Sequence, residues 1–387
     1  MADVGIVMPV YKQKTRFLQA ALRSILKQNY RSYKLIIVID GTTANVVQTV
    51  RRMTRRDTRV KVISYRVNKG TCHALNTGFA QLTNDPDIQY LTWVSSDNIY
   101  LPNYISTLRM SLVNAPSHVG FVYSNSYMIN NSGKSIHSPS RLKLVRQWRG
   151  QPIDQLIDTC FIGASFMYRK SVAIEVGEYR YTPIEDYDYW LRITERCGTI
   201  YLPMELMKYR VRSTFSMSRK LATSTKFNQH RKYISQLIRM EARKRRQQLG
   251  TETTIIFTNS ATPNQPDRLN SILTQSHYNL KCIVIDQTPA LELHSAVTSL
   301  PDLRVQYVSM PYASDQEVFV QARNLTQSPY VMFYSSQDPL PSDYLLMELN
   351  SAALQLHAES EQPLFNHLYS SERLFETMVN RLYPEAV

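Results

Sequence analysis

Two stretches of this chain repeat each other. Residues 22–40 read LRSILKQNYRSYKLIIVID, and residues 269–286 read LNSILTQSHYNLKCIVID, the same pattern with one deletion. Further on, WVSSDNIYLPNYI at 93–105 is echoed by FYSSQDPLPSDYL at 333–345. A long period that occurs only twice predicts duplicated domains, because solenoid repeats are short and stack many times. The copies have drifted unequally. Only the first is followed by an acidic, aromatic segment, PIEDYDYWLR at 183–192. One copy alone is therefore expected to carry the full set of chemical groups.

The local pattern gives the fold class. VGIVMPV (4–10) and KLIIVID (34–40) are short, continuous apolar runs rich in β-branched residues, which suits strands buried on both faces. Between them Phe17, Leu18, Ala21, Leu22, Ile25 and Leu26 recur at helical spacing. Strand, helix and strand in so short a span make a βαβ unit, which closes right-handed into a parallel sheet. VKVISY (60–65) and YLTWVSS (90–96) read as further strands, with helices over 72–82 and after Pro102. Residues 105–182 read as less regular, apart from a strand or turn at 161–170 leading into a helix at 171–177. Residues 186–197 read as a helix. A second α/β unit starts near 253. The whole is an open α/β sheet, and ligands bind such sheets beyond the carboxyl ends of the strands. Pro9, Tyr11, Asp40 and the Ser95-Ser96-Asp97-Asn98 cluster fall at those ends.

Composition excludes several classes. With 387 residues and 43% hydrophobic content, the chain can bury two cores, so wholesale disorder is not expected. No apolar run approaches the roughly 20 residues that span a bilayer. The start, MADVGIVMPVYK, lacks a basic opening and a cleavage site, so it does not read as a signal peptide. Cys72, Cys160, Cys197 and Cys282 are scattered singly, without metal spacing or a disulfide framework, which fits a reducing cytosol. Most of the net charge of +14 is local: residues 219–246 hold ten Lys/Arg against the single acid Glu241. Phe227, Tyr233, Ile234, Leu237, Ile238 and Met240 recur there at helical spacing, so this is a basic amphipathic helix linking the halves. Its readings are a solvated face over an interdomain stripe, contact with anionic lipid, or binding of an anionic polymer. No nucleic-acid motif accompanies it, so nucleic acid is not an expected partner.

VGIVMPVYK, SILKQNYRSYKLIIVIDG, NKGTCHALNTG and LTWVSSDNIYLPNYI, in this order, resemble the nucleotide-binding half of family 2 glycosyltransferases with the GT-A fold. FIGASFMYRKSVAIEVGEY and PIEDYDYWLRI resemble the acceptor half. The resemblance covers about residues 4–218. It implies a GT-A catalytic domain, Rossmann-like with a mostly parallel open sheet, over 1–218. A basic linker helix (219–249) and a degenerate, smaller GT-A-like α/β domain (250–387) would follow. It also implies inverting transfer from a nucleoside diphosphate sugar, most simply a UDP-sugar, to a hydroxyl of a saccharide or lipid-linked acceptor, assisted by Mn2+ or Mg2+. Such an enzyme would be cytoplasmic or peripheral at the inner membrane face, and its oligomeric state is left open.

Site residues follow by position. A carboxylate at Asp40 can accept the ring N–H of a uracil-like base, the role the resemblance implies; the alternative is a turn residue before Gly41-Thr42. Pro9, Tyr11, Asn68 and Gly70 would line the nucleotide pocket, with Tyr11 free to stack on the base. The family usually shows Asp-x-Asp-Asp where this chain has Ser95-Ser96-Asp97-Asn98, so Asp97 is the remaining metal and nucleotide ligand. A lone carboxylate can still hold Mg2+ or Mn2+ with phosphate oxygens and water. The acidic pair before a helix carries the general base, which places it on Asp186 with Glu185 as neighbour or rival. Trp190 is an acceptor contact or a core anchor, and Arg192 more often pairs with an acid. Arg212 stands where the family often has histidine, and could hold the diphosphate but not reproduce imidazole chemistry. The missing acids at 95 and 98 and the arginine at 212 keep a rival open, a non-catalytic sugar-nucleotide-binding scaffold. In the second copy Asp286 repeats Asp40, but Gln337-Asp338 replaces Asp97-Asn98.

Overall fold

The computed structural model describes residues 2–213 without a break, then 215, 219–220, 223–247, 252–259, 265–273, 279–291, 293–298, 302, 304–335 and 368–370. Gln337, Asp338 and most of the echo at 333–345 lie outside the described residues. The chain divides into two compact units, Met1–Ile234 and Ser235–Val387.

The first unit runs β1 (Val4–Val10), α1 (Thr15–Leu26), β2 (Tyr33–Asp40), α2 (Ala44–Thr54), β3 (Val60–Tyr65), α3 (Thr71–Thr83), β4 (Tyr90–Trp93), β5 (Ile99–Tyr100), α4 (Tyr104–Val113), β6 (Val119–Ile129), α5 (Pro139–Arg149), β7 (Phe166–Arg169), α6 (Lys170–Val176), α7 (Glu185–Ile193) and β8 (Gly198–Arg210). Helix α8 (Thr225–Arg245) follows and contains the boundary between the units.

The eight strands form one sheet in the order β3-β2-β1-β4-β7-β6-β8-β5. Strands β3, β2, β1 and β4 are mutually parallel. Strand β7 runs antiparallel to β4 and β6, while β6 pairs in parallel with β8. The apolar stripe of α1, Phe17, Leu18, Ala21, Leu22 and Ile25, is buried on this sheet, as its spacing predicts. Pairing Val10 with Ile39 and Asp40 with Tyr65 brings the carboxyl ends of β1, β2 and β3 to one edge. The site residues cluster there.

The middle of the chain is more ordered than its sequence suggests. Strand β6 has 11 residues and β8 has 13. Both hide from a periodicity search. Strand β6 buries Ser124, Asn125 and Ser126, and β8 contains an exposed Pro203-Met204 step where its register against β6 shifts. Such irregularities break the alternation that marks a strand.

The second unit runs β9 (Thr253–Asn259), α9 (Gln265–Leu273), β10 (Leu280–Asp286), α10 (His294–Thr298), β11 (Val305–Ser309), α11 (Asp315–Leu325), β12 (Tyr330–Ser335) and β13 (Leu368–Ser370). Its sheet order, β11-β10-β9-β12-β13, repeats β3-β2-β1-β4-β7 strand for strand. The repeat extends to direction, since β13 is antiparallel to β12 as β7 is to β4. The duplication in the sequence is thus a duplication of topology.

Candidate functional site

Asp40 ends β2 almost wholly buried, 3% exposed. Its Oδ1 accepts from Lys69 N at 2.7 Å, and its Oδ2 accepts from Asn68 Nδ2 at 2.8 Å and Gly70 N at 2.9 Å. The carboxylate therefore organises the loop that leads into α3. Gly41 makes the closeness workable: its φ is +60°, and a Cβ there would stand 2.2 Å from Asn68 N. Pro9 lies in β1 beside Val38, and Tyr11 follows with 38% of its surface exposed, so its ring is free to stack. Thr42 Oγ1 donates to Tyr11 O at 3.0 Å and ties the two strand ends together.

Asp97 lies between β4 and β5, partly buried. Its Oδ2 accepts from Ser213 Oγ at 3.2 Å. Arg210 lies directly behind it. The Arg210 Nε donates to Asp97 O at 3.1 Å, its Nη1 to Asn130 O at 2.7 Å, and its backbone N to Asn98 Oδ1 at 2.9 Å. Asn98 is thereby a buried strut, and the Arg210 guanidinium caps the Phe17 ring at 4.0 Å. Burial pushes the Asp97 carboxyl above its ordinary pKa, with the Ser213 hydrogen bond and the Arg210 charge pulling it back. No lysine or arginine among the described residues forms an ion pair with it.

The donor set allows a limited test of the expected metal. Among the described residues no group of three or more His, Cys, Asp or Glu side chains could hold an ion. One desolvated carboxylate without an ion pair does suit a hard cation that takes its other ligands from phosphate and water. The residues fit an ion bridged to a substrate, not one held by protein alone.

Helix α7 opens on the second centre. Of its three early acids, Asp188 is fully committed: Arg180 donates to it at 2.8 and 3.3 Å and Arg192 at 2.7 and 3.0 Å. Arg192 also donates to Val176 O and Glu178 O, so it is a structural tie. Glu185 and Asp186 form no ion pair with any described residue, and Glu185 Oε2 is buried without a partner. Two carboxyls in consecutive positions cannot both ionise cheaply in a dry environment. Burial raises both above the ordinary carboxylate range, and the Asp186 charge raises Glu185 further. The pair thus retains a proton toward neutrality, which suits an acid–base function.

The two centres share one electrostatic field. The Tyr209 phenol, in β8, is pushed up to about 12 by burial and then by the charges of Asp97 and Asp186, while Arg149 pulls it down. Neither Tyr209, Arg210 nor Arg149 is visible as a site residue in the sequence. Arg210 lies two positions before Arg212, and only the β5–β8 pairing turns it toward Asp97. Arg212 itself is exposed, in the left-handed region with φ 54°.

Of the two readings of Trp190, the core anchor is the one its surroundings support. Trp190 is fully buried, edge-on to Phe166 at 4.4 Å and stacked over Phe121 at 5.0 Å. It has no surface to offer an acceptor. It anchors α7 in the core, because position 190 falls one turn from Asp186 on the face turned toward the sheet.

An open, mostly parallel sheet with carboxylates at its carboxyl edge and an acidic pair opening a later helix is the layout of a GT-A glycosyltransferase. The family described as Glycosyl transferase family 2 matches residues 5–177 of the chain. The chain is 25% identical over 227 residues to the UDP-Glc:alpha-D-GlcNAc-diphosphoundecaprenol beta-1,3-glucosyltransferase WfgD of Escherichia coli, covering 56% of this chain and 80% of WfgD. It is 24% identical over 226 residues to the O-antigen biosynthesis glycosyltransferase WbnJ of Escherichia coli, covering 57% and 84%. An uncharacterised glycosyltransferase of Rickettsia conorii is 26% identical over 199 residues, 49% of this chain but only 31% of that protein. Among solved structures, S. aureus TarS 1–349 in complex with UDP-GlcNAc aligns with TM-score 0.47 and 14% identity, covering 61% of this chain and 66% of that one. A likeness of that size carries no argument about the site.

Proposed function

We propose that the first unit is an inverting glycosyltransferase that moves a sugar from a nucleoside diphosphate sugar, most simply a UDP-sugar, to a hydroxyl of a saccharide or lipid-linked acceptor. The observation that carries this reading is the Glu185-Asp186 pair, unpaired and held above the ordinary carboxylate range, in the same field as Asp97. In a single in-line displacement, the acceptor oxygen forms a bond to the sugar's anomeric carbon as the bond to the diphosphate breaks. The acceptor proton passes to Asp186, and the nucleoside diphosphate leaves with the electron pair. Glu185, protonated beside it, keeps a second negative charge out of the site. The donor's nucleoside would lie against Pro9 and Tyr11, with its base reaching the Asp40, Asn68 and Gly70 cradle. Asp97 would hold Mn2+ or Mg2+ jointly with the donor diphosphate, and such an ion neutralises charge that develops on a leaving diphosphate. Arg212, in the segment after β8, would be a further contact to the same diphosphate.

The relatives named WfgD and WbnJ support polysaccharide assembly as the setting, and WfgD's name records an acceptor carried on a lipid diphosphate. Among the described residues no helix is long and apolar enough to cross a membrane. Residues 219–246 would then serve as a peripheral contact with anionic lipid at the inner membrane face. Replacing Asp186 by Asn tests the reading: donor binding should persist while transfer is lost. Unchanged transfer would remove Asp186 from its role.

A further inference from the structure

Arg149 is the last residue of α5, which starts at a Ser138 cap and Pro139 and stops at Gly150. The inner face of that helix presents Leu142, Val145, Arg146 and Arg149, and the two arginines meet different fates. Arg146 is matched to Glu205 by hydrogen bonds of 2.6 and 2.8 Å. Glu205 Oε1 also accepts from Asn125 Nδ2 at 2.9 Å, so this acid is fully engaged. Arg149 is more than nine-tenths buried and pairs with no acid among the described residues. Its Nη1 donates to Ser124 O at 3.2 Å, Nε has no partner, and no described residue accepts from Nη2.

The surroundings are built to take this guanidinium but not to neutralise it. Gly163 faces it with bare backbone, because a Cβ there would lie 2.2 Å from Nη1 and 2.6 Å from Nη2. The titratable groups that feel its charge include Tyr201, Cys160, Tyr123, Tyr209 and His137, none of them a carboxylate. Arginine stays charged in proteins, so the site holds a permanent buried cation. A buried charge without a counter-ion is strongly unfavourable, by several kcal/mol on general grounds. Tyr209 feels this cation together with the charges of Asp97 and Asp186. A planar guanidinium with free N–H donors in such a place matches a phosphate, which supplies both the charge and the acceptor oxygens.

We propose that Arg149, lying against the Gly163 backbone, forms a phosphate subsite for a diphosphate carried by the acceptor substrate. Its neighbours belong to α5, β6, β8 and the approach to β7, all on the far side of β4 from the cradle around Asp40. The donor diphosphate belongs at Asp97, so a second phosphate group arrives with the acceptor. This rests on the glycosyltransferase reading for the identity of the acceptor, but the phosphate chemistry does not depend on it.

The test is a calorimetric titration of the full chain with geranyl diphosphate at saturating UDP, on the wild type, Arg149→Met and Arg149→Lys. Arg149→Met is expected to weaken binding at least about thirtyfold, as removal of one partner from a buried charge pair does. Arg149→Lys should restore part of the loss, and UDP affinity should not change. Thermal unfolding keeps a structural role separate, because replacing an uncompensated charge by methionine should leave Tm unchanged or raised. Equal geranyl diphosphate affinity in Arg149→Met would overturn the subsite. A loss of UDP affinity instead would move the phosphate to the donor and overturn the acceptor assignment. Diphosphate selectivity without sugar transfer would uphold the subsite while the glycosyltransferase reading fell.

Discussion

The two α/β copies share a strand order, yet their equivalent aspartates do different work. Asp40 reaches forward to Asn68, Lys69 and Gly70 and holds the entrance to α3 open as a cradle. Asp286 turns back on its own loop. It accepts from Thr288 N and Oγ1 at 3.1 and 2.7 Å, from Leu293 N at 3.1 Å and from Tyr307 Oη at 3.0 Å. One carboxylate shapes a pocket, and the other fills its valences with local structure. A duplicated scaffold can therefore keep its hydrogen-bonding aspartate and lose the geometry that makes it useful to a ligand. Among the described residues, the extension β6, β8 and β5 with α5 and α7, which supplies Asp186, Tyr209, Arg210 and Arg149, is found in the first copy.

The largest expected effect bears on that extension. Asp186→Asn should lower the transfer rate by about 10²- to 10⁴-fold, the usual contribution of a general base, with donor affinity intact; a rate assay beside nucleotide titration separates the two. Trp190→Ala, one turn away, should instead cost about 3–5 kcal/mol of stability, a core penalty read by denaturant unfolding. Reduced acceptor affinity in a fully folded variant would instead favour the acceptor-contact reading of Trp190. Asp97→Ala should weaken Mn2+-dependent nucleotide binding by about tenfold, equivalent to about 1.4 kcal/mol. Binding without the metal should change little.

The aspartate pair itself gives the sharpest contrast. Asp40→Asn should weaken nucleotide affinity because the 68–70 cradle loosens. Asp286→Asn should leave that affinity alone and destabilise the second unit by about 1–3 kcal/mol, the penalty for buried groups left unsatisfied. Equal losses of affinity in both variants would make the copies functionally alike.

The smallest effect concerns pH. Glu185 and Asp186 have folded pKa values above their unfolded ones, so the native state binds more protons than the unfolded chain. Stability is then highest at low pH and falls as pH rises from the ordinary carboxylate range through the raised values. The slope is at most about 1.4 kcal/mol per pH unit for each proton. Glu185→Gln should flatten this decline, as measured by urea midpoints across pH 5 to 8.

The parts legible in the sequence are those governed by short-range pattern. Strands β1 to β4 announce themselves because buried parallel strands are continuous apolar runs; Asp40 ends one of them, and Asp186 stands in the first turn of helix α7. Strands β6 and β8 do not, since buried Ser124 and Asn125 and the exposed step at Pro203 disrupt any period. Arg149 and Arg210 are illegible for a different reason. An arginine's meaning lies in what it fails to pair with, and Arg146 and Arg149 look alike until Glu205 is seen to serve only one of them. Trp190 could be read either way, because an aromatic beside an acid is core or contact depending on which face of the helix meets the sheet.

The central claim is that one copy alone handles the donor. Calorimetric titration of the whole chain with UDP, GDP, dTDP and CDP, with and without Mn2+, tests it most directly. The account predicts metal-dependent binding of one nucleotide at a single site, weakened about tenfold in Asp97→Ala and retained in Asp286→Asn. No binding of any of the four, or a stoichiometry near two, would contradict it.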